Sequence, residues 1–247
     1  MIGHVFVVCL LLTGLCTVES FSSKACREQR LCNYPSSLLA QQTDAVLYQD
    51  ENYSNSFQII DSCAALGEHS ENLYESVRYI DRNASKLYPD LSAKKDLWDR
   101  AHGSWKLQLA TGGGKFTTFK PVPIFAYAVV DEHNFGNGIG LNQDNIILSL
   151  LGPHHFNDKR RSMGIGINDM YLFSNKVTQF VPGFMAEGLG LGKCPEDFTN
   201  KKGSRMPAFT IIGASDKSLV ARGGSGGIAI WTRLDKDIRP AAYGIRD

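Results

Sequence analysis

The sequence has no excess of charge of either sign. Its 26 Lys and Arg residues are balanced by 25 Asp and Glu residues, which gives a formal net charge of +1. Binding to nucleic acid requires a surplus of cations that faces the phosphates, and the short basic run at 159–161 is typical of a solvated loop. We therefore expect no nucleic acid among the partners of this protein.

The sequence also lacks the spacings that mark common catalytic and metal sites. It contains no nucleophile elbow and no ordered catalytic triad. The glycines of 188–192 lack the spacing of a phosphate-binding loop, and those of 136–140 lack the dinucleotide-binding spacing. His154 and His155 would point to opposite faces of a strand, and Pro153 beside them favours a turn. We therefore name no catalytic residue and no metal ligand.

Long apolar runs are absent after the first 20 residues. Val5–Cys16 is apolar and uncharged, but it is shorter than the roughly 18 residues that a membrane-spanning helix needs. It is followed by Val18-Glu19-Ser20, a small-residue pattern that suits cleavage by signal peptidase. These features predict a cleaved signal peptide over residues 1–20, with a membrane anchor as the alternative.

The residues that follow are basic and contain serine. The stretch Phe21–Arg30 has several Lys and Arg residues and a single acidic residue, which is the composition of a transit peptide. A signal peptide followed by Phe and a basic stretch resembles the bipartite presequence of algae with secondary plastids. The resemblance implies a plastid location, with residues 21–36 as the transit peptide. The alternative is a disordered tail on a secreted protein.

Residues 37–101 carry the pattern of amphipathic helices. Ser56–Leu66 and Glu71–Leu87 place apolar residues at steps of three to four positions. Pro89 ends the second helix, and Ser92 is the candidate cap of a third one. We expect these helices to form a lead-in that packs on the next domain.

Residues 102–235 predict a different architecture. Short runs rich in Val, Ile, Phe and Tyr alternate with Gly, Asn, Asp and Pro, and no helix between them is long enough for a crossover. This series favours a meandering antiparallel β-barrel or a sandwich, and a barrel of about eight strands holds packed side chains or one small ligand. Residues 236–247 then form a C-terminal tail. The candidate strands are Ser104–Ala110, Ile124–Val130, Asn137–Leu141, Asn145–Leu151, Ser162–Ile167, Met170–Ser174, Lys176–Val181, Ala208–Ala214 and Gly227–Arg233.

A long segment between two prolines, Pro182–Pro207, interrupts the strands. Loops of more than about a dozen residues in a compact domain are often lids or binding loops. This one is unusually apolar, with Phe184 near its start. We consider three roles for it: a cover over the mouth of the barrel, a contact with a membrane, and packing into the core.

Gly103-Ser104-Trp105 opens the first candidate strand and fits the pattern with which lipocalin-like barrels begin. A Trp at this position can plug the closed end of the barrel, and a cation from the last strand can lie over its ring. Arg222 and Arg233 flank the final strand, so both are candidates for that cation.

The C-terminal region adds a second motif: a short strand, the turn Arg222-Gly223, and a final apolar strand that contains Trp231 and ends in a basic residue. Together with the glycine and tryptophan opening, it resembles the plastid lipid-associated proteins, or fibrillins. That family usually has Asp after the Arg-Gly pair, where this chain has Gly224. The resemblance implies a lipocalin-like barrel in plastids that binds or sequesters carotenoids, quinones or other isoprenoids.

Aromatic side chains supply the candidate ligand contacts. Phe125 and Tyr127 share one face of a predicted strand, and an inward aromatic face would suit a polyene or a ring. We predict ligand contacts from Trp105, Phe125, Tyr127, Phe184 and Trp231, and barrel closure by Trp105 with Arg222 or Arg233.

Three functions follow from these features. The first is a binding protein that holds a carotenoid or another isoprenoid and associates peripherally with membranes or lipid bodies. The second is a carotenoid-modifying enzyme on the same barrel, with Tyr127, Asp131, Glu132 or His133 as acid or base. The third is an accessory subunit of a photosynthetic membrane complex, with a fully packed barrel. We favour the first.

Overall fold

The computed structural model describes residues 51–112, 117–189, 191–192, 194 and 208–238. The first part forms four helices: α1 (Glu51–Leu66), α2 (Glu71–Arg82), α3 (Ala84–Leu87) and α4 (Leu91–Ala101). The cap of α4 is Asp90 and not the predicted Ser92, because the Asp90 carboxylate accepts a hydrogen bond of 2.8 Å from the Ala93 N–H. Residues 37–50 of the predicted lead-in lie outside the described residues.

The rest of the described chain contains eleven strands and one short α-helix. In chain order they are β1 (Gly103–Ala110), β2 (Lys120–Pro121), β3 (Phe125–Val130), β4 (Asn134–Gly140), β5 (Ile146–Asn157), β6 (Ser162–Ile165), β7 (Asp169–Leu172), β8 (Asn175–Lys176), α5 (Gly183–Leu189), β9 (Ala208–Ala214), β10 (Ser218–Gly223) and β11 (Ile228–Arg233).

Eight of these strands form a closed antiparallel ring. Its order is β1, β3, β4, β5, β6, β9, β10, β11 and back to β1. The other three strands extend it, since β2 pairs with β1, β7 with β5, and β8 with β7. Closure satisfies the backbone hydrogen bonds of strands that would otherwise be free edges. The predicted fold, a lipocalin-like antiparallel β-barrel preceded by a helical segment, is confirmed.

A contact between two phenylalanines identifies the inner face of the barrel. The rings of Phe135 on β4 and Phe209 on β9 have centroids 6.0 Å apart, although β5 and β6 separate their strands in the ring. The contact therefore crosses the interior. Side chains alternate between faces along a strand, so the pairing of β4 with β3 and of β3 with β1 places Ala128 and Trp105 inside and Tyr127 outside.

Helices α1 and α2 cover the outer face of β9, β10 and β11. A Cβ atom at Gly213 would lie 3.0 Å from the Phe57 ring and 3.1 Å from the Ile80 side chain, so glycine allows both helices to approach β9 closely. Arg222 on β10 adds an ion pair of 2.7 Å to Asp81 on α2. Because of this helical layer, the first four residues of β11 are buried on both faces of the strand.

The structure corrects the prediction of a turn at His154 and His155. Both residues lie in β5, where they pair with Ile165 and Gly164 of β6. β5 is twelve residues long because it changes partners on one edge. Residues 148–151 pair with β7, and residues 154–157 pair with β6.

The segment after β8 also differs from the prediction. Of the predicted strand Lys176–Val181, only Lys176 is in a strand, and Thr178–Phe180 forms a turn of 3₁₀ helix. The Thr178 hydroxyl accepts a hydrogen bond of 2.8 Å from the Met170 N–H, which ties the segment to β7. The predicted loop begins with α5, and most of its remainder lies outside the described residues.

Candidate functional site

The inner face of the barrel changes in side-chain size from one end to the other. At the end where β1 begins, which we call the closed end, Trp105 is fully buried. At the opposite end, which we call the far end, four inward positions carry alanine. They lie on consecutive strands of the ring and are Ala221 on β10, Ala229 on β11, Ala110 on β1 and Ala126 on β3. Their small side chains line one side of the far end.

Arg233 and Trp105 meet at the closed end. They occupy paired positions on β11 and β1, and the guanidinium carbon lies 4.1 Å from the centroid of the Trp105 ring, which is a cation–π contact. Arg233 also donates to the carbonyls of His102 and Arg100 at 2.8 Å and of Asp216 at 2.9 Å. Two of these carbonyls end helix α4, where unpaired carbonyls and the helix dipole favour a cation.

Gly103 makes room for this arginine. Its φ of +125° lies in a region that side chains rarely adopt, and a Cβ atom there would overlap the Arg233 Nη1 atom. The glycine and the tryptophan of the Gly103-Ser104-Trp105 motif therefore contribute to the same contact. Gly103 leaves space for the Arg233 guanidinium, and the Trp105 ring packs against it.

Helix α4 lies across the closed end. The Ala101 carbonyl accepts a hydrogen bond of 2.9 Å from the Trp105 indole N–H. One turn earlier, Trp98 stacks on Phe156 of β5, with ring centroids 4.5 Å apart and planes 13° from parallel. Helix α4 therefore contacts both β1 and β5. These strands are three places apart in the ring of eight, on nearly opposite sides of the barrel, so α4 crosses the closed end.

Two histidines flank Trp98 at this end. The centroids of His102 and His154 lie 4.8 and 4.9 Å from that of Trp98. The His154 Nε2 atom lies 2.8 Å from the Asp131 carbonyl, while His154 Nδ1 and His102 Nε2 are buried without a partner in the part of the chain that the structure describes. Burial lowers the pKa of both histidines, because it disfavours the charged imidazolium.

The far end exposes apolar side chains. Leu141 follows β4, Leu172 is the last residue of β7, and Phe173 follows it; they are 76%, 41% and 63% exposed. These three residues, which we call the apolar rim, lie on strands separated only by β5, so about 10 Å of sheet separates them. Phe180 and Phe184 in the following segment are also exposed. Exposed apolar patches of this kind mark surfaces that contact proteins, membranes or ligands.

The turn that carries Phe173 has an unusual backbone. Phe173 has a φ of +47° and Ser174 a φ of +64°, so both lie in the left-handed region that glycine and asparagine prefer. A bulky aromatic residue in this conformation costs on the order of 1 kcal/mol or more, and such strain clusters at functional sites. The turn thus holds a strained phenylalanine in solvent.

Phe125 and Tyr127, two of the predicted ligand contacts, face outward. Tyr127 belongs to a small outer cluster with Val129 and Ile238, and the Phe125 ring packs at its edge. The Tyr127 hydroxyl lies 2.6 Å from the Ser149 hydroxyl on β5. The structure therefore does not place these two rings inside the barrel.

The other predicted site residues are divided between the interior and the surface. Trp105 and Trp231 lie on the inner face and are buried. Phe184 is 74% exposed on α5. Of the two predicted basic partners of Trp105, Arg233 lies over its ring, whereas Arg222 is paired with Asp81 outside the barrel.

The candidate acid and base groups do not converge. The Asp131 carboxylate accepts hydrogen bonds from the backbone N–H groups of His133 and Asn134 at 2.8 and 2.6 Å, so it stabilises the turn between β3 and β4. Tyr127 lies four residues away on the outer face, about 13 Å along the strand. Within the described ranges, no group of three or more His, Cys, Asp or Glu side chains could hold a metal ion.

Sequence reasoning missed Trp98, His102 and His154 as neighbours at the closed end. They come from α4, from the α4–β1 junction and from β5, and no local spacing connects them. The one available signal was the position of Trp98 and His102 just before the Gly103 motif.

Comparisons with known proteins find only distant structural similarity. The chain matches no protein-family model and no curated protein. A solved lipocalin-like protein from Bacteroides uniformis is 14% identical, with 55% of this chain and 99% of that chain covered and a TM-score of 0.33. A protein from Bacteroides eggerthii is 14% identical over 54% of this chain and 98% of that one, with a TM-score of 0.34. A protein from Burkholderia xenovorans is 12% identical, with 60% of this chain and 90% of that chain covered and a TM-score of 0.31. The strand order and register carry the assignment of the fold.

None of the helices in the described ranges is long and apolar enough to cross a membrane.

Replacement of Gly103 by alanine tests the closed end. We expect Gly103→Ala to lower the free energy of unfolding by roughly 1–3 kcal/mol, because the backbone conformation becomes strained and Arg233 is displaced. Urea unfolding followed by circular dichroism measures this. The control is Gly224→Ala, where no atom lies within 4 Å of the new Cβ. Equal effects of the two substitutions would contradict the role assigned to Gly103.

Acidification tests the two buried histidines. Their folded-state pKa values lie below the ordinary 6.5, so near that pH the unfolded chain binds more protons than the folded protein. The free energy of unfolding should therefore fall as the pH drops below about 6.5. The double variant His102→Gln/His154→Gln should show a weaker pH dependence. The control is His69→Gln, an exposed residue that is not among the groups that shift either pKa, and it should leave the pH dependence unchanged. A double variant with an unchanged slope is the contrary result.

Proposed function

We propose that this protein binds a lipophilic small molecule at the far end of its barrel and contacts a lipid surface with the apolar rim. The observation that carries the proposal is the difference between the two ends. One end is plugged by Trp105, Arg233 and helix α4. At the other end, each of four consecutive strands has an alanine that points inward, and apolar side chains are exposed to solvent.

Small inner side chains support a ligand at the far end. Ala110 is partly exposed there, while Ala126, Ala221 and Ala229 are buried. A flat or linear apolar molecule that enters this end beside Ala110 leaves water, and each Å² of apolar surface removed from water contributes about 25 cal/mol. Ligand sites of barrels lie in such mouths.

The apolar rim supports contact with a lipid surface. Leu141, Leu172 and Phe173 lie at the same end of the barrel as the four alanines. Aromatic and leucine side chains enter the boundary of a bilayer favourably, and a lipophilic ligand could then pass between membrane and barrel without crossing water. The proposal therefore assigns one end of the barrel to both contacts.

The identity of the ligand and the location rest on the sequence. Residues 1–36 resemble a bipartite presequence, and this resemblance together with that to plastid lipid-associated proteins favours a plastid protein whose ligand is a carotenoid, a quinone or a related isoprenoid. A secreted lipid-binding protein is the alternative. Fusion of residues 1–36 to a fluorescent protein in a cell with secondary plastids distinguishes the two, since fluorescence in the plastid supports the first and fluorescence in the medium supports the second.

The apolar rim also favours a second candidate, an accessory subunit that binds another protein. In that case Phe173 and its neighbours would be covered by the partner and not by lipid. The vesicle experiment below separates these two functions.

Obstruction of the far end tests the ligand site. The full chain is incubated with a pigment and lipid extract and purified again, and bound compounds are identified by absorbance and mass spectrometry. We expect Ala110→Phe to reduce the retained lipophilic ligand severalfold, because the larger ring enters the mouth. Phe125→Asp should leave it unchanged, since Phe125 faces outward.

Both variants must retain the circular dichroism spectrum of the wild type. A folded wild type that retains no ligand would refute the binding function. Equal loss in the two variants would place the ligand elsewhere. A chemically altered pigment would favour the enzyme.

Flotation with phosphatidylcholine vesicles tests the lipid contact. We expect Phe173→Ser to weaken vesicle binding about tenfold, because burial of a phenylalanine contributes roughly 1.5–3 kcal/mol. The matched control is Leu91→Ser on α4, since Leu91 and Phe173 are both 63% exposed and Leu91 lies outside the apolar rim. A wild type that stays with the aqueous phase would favour the protein-binding candidate.

A further inference from the structure

A groove lies between α1 and α2, and most of the residues that line it have polar side chains. Its volume is about 500 Å³, within the range of small-molecule sites. One stripe of α1 and one of α2 form its walls. Six of the lining residues are Asn52, Asn55 and Ser56 from α1 and Asn72, Ser76 and Tyr79 from α2.

Two small residues between the helices, Ser56 and Ser76, leave the space that forms the groove. Ser56 and Ser76 are each only 7% exposed and stand where the two helices meet, a position that apolar side chains normally fill. Neither hydroxyl makes a hydrogen bond to another group in the described residues, and neither oxygen is fully enclosed. Short polar side chains thus leave both the space and two accessible hydroxyls at its floor.

The chemistry of the walls selects a neutral ligand. Among the described residues that line the groove, the charged ones are Glu75 and Arg82, one of each sign, so these residues provide no surplus charge to attract a phosphate or a cation. Burial of the asparagine amides under an apolar ligand would cost free energy, because their hydrogen bonds to water would be lost.

Carboxamides and hydroxyls both donate and accept hydrogen bonds. A ligand that matches them must carry many groups that do the same, and the hydroxyl groups of a sugar meet this requirement. The Tyr79 ring and the Ile59 side chain add an apolar strip for the C–H face of a sugar ring.

We propose that the groove between α1 and α2 is a saccharide-binding site. This site is separate from the barrel, because the described residues that line it belong to α1 and α2 or, for Asn83, directly follow α2, and no strand residue is among them. It does not depend on the function proposed for the barrel. The saccharide has two potential sources, a free oligosaccharide and the sugar headgroup of a glycolipid.

Saturation-transfer NMR of the full chain with maltose, lactose and cellobiose tests for the free sugar. Flotation with phosphatidylcholine vesicles, with and without digalactosyldiacylglycerol, tests for the headgroup. We expect binding in at least one arm, and we expect Asn55→Ala/Asn72→Ala to weaken it about tenfold, since two amide contacts are lost. The asparagines are exposed, so the variant should fold.

The control is Gln58→Ala, an exposed residue of α1 that does not line the groove; binding should be unchanged. Glycolipid-dependent flotation of the wild type that the double variant loses supports the proposal and identifies a headgroup as the source. Absence of binding in both arms overturns it, and so does binding that the double variant retains. Loss of binding in Gln58→Ala also overturns it.

Discussion

The Arg233 guanidinium joins three elements that are far apart in the sequence: the end of β11, the start of β1 and the last turn of α4. It lies over the Trp105 ring and donates to the carbonyls of His102 and Arg100. Both carbonyls lie at the end of the helix, and a hydrogen bond from a charged donor contributes roughly 1.5–3 kcal/mol. The position of α4 across the barrel therefore depends on this contact, and Gly103 is glycine because the contact needs space.

Trp98, Trp105 and helix α4 close one end of the barrel, and this restricts the proposed ligand site to the far end. There the chain departs from what stability alone would favour. Phe173 is held there in a strained turn and is exposed to solvent. Departures of this kind are expected where function competes with packing.

The sequence predicts features that depend on local pattern. The strand Ala208–Ala214 matches β9, and the amphipathic period from Glu71 onward matches α2. It does not predict which face is inside: Phe125 and Tyr127 share a face, but their outward direction follows from the closure of the whole ring. In the same way, only the register between β1 and β11 selects Arg233 over Arg222 as the partner of Trp105. The polar groove between α1 and α2 was also missed, since it depends on how two helices meet.

The central claim is that a lipophilic molecule binds at the far end and not at the closed end. Its most direct test is the NMR spectrum of the isotope-labelled full chain with a nitroxide-labelled fatty acid, before and after chemical reduction of the nitroxide. We predict that the amide signals of Ala110 and Ala229 broaden and recover on reduction, while those of Trp105 and Arg233 keep their intensity. Broadening at Trp105 and Arg233, or no broadening at either end, would contradict the account.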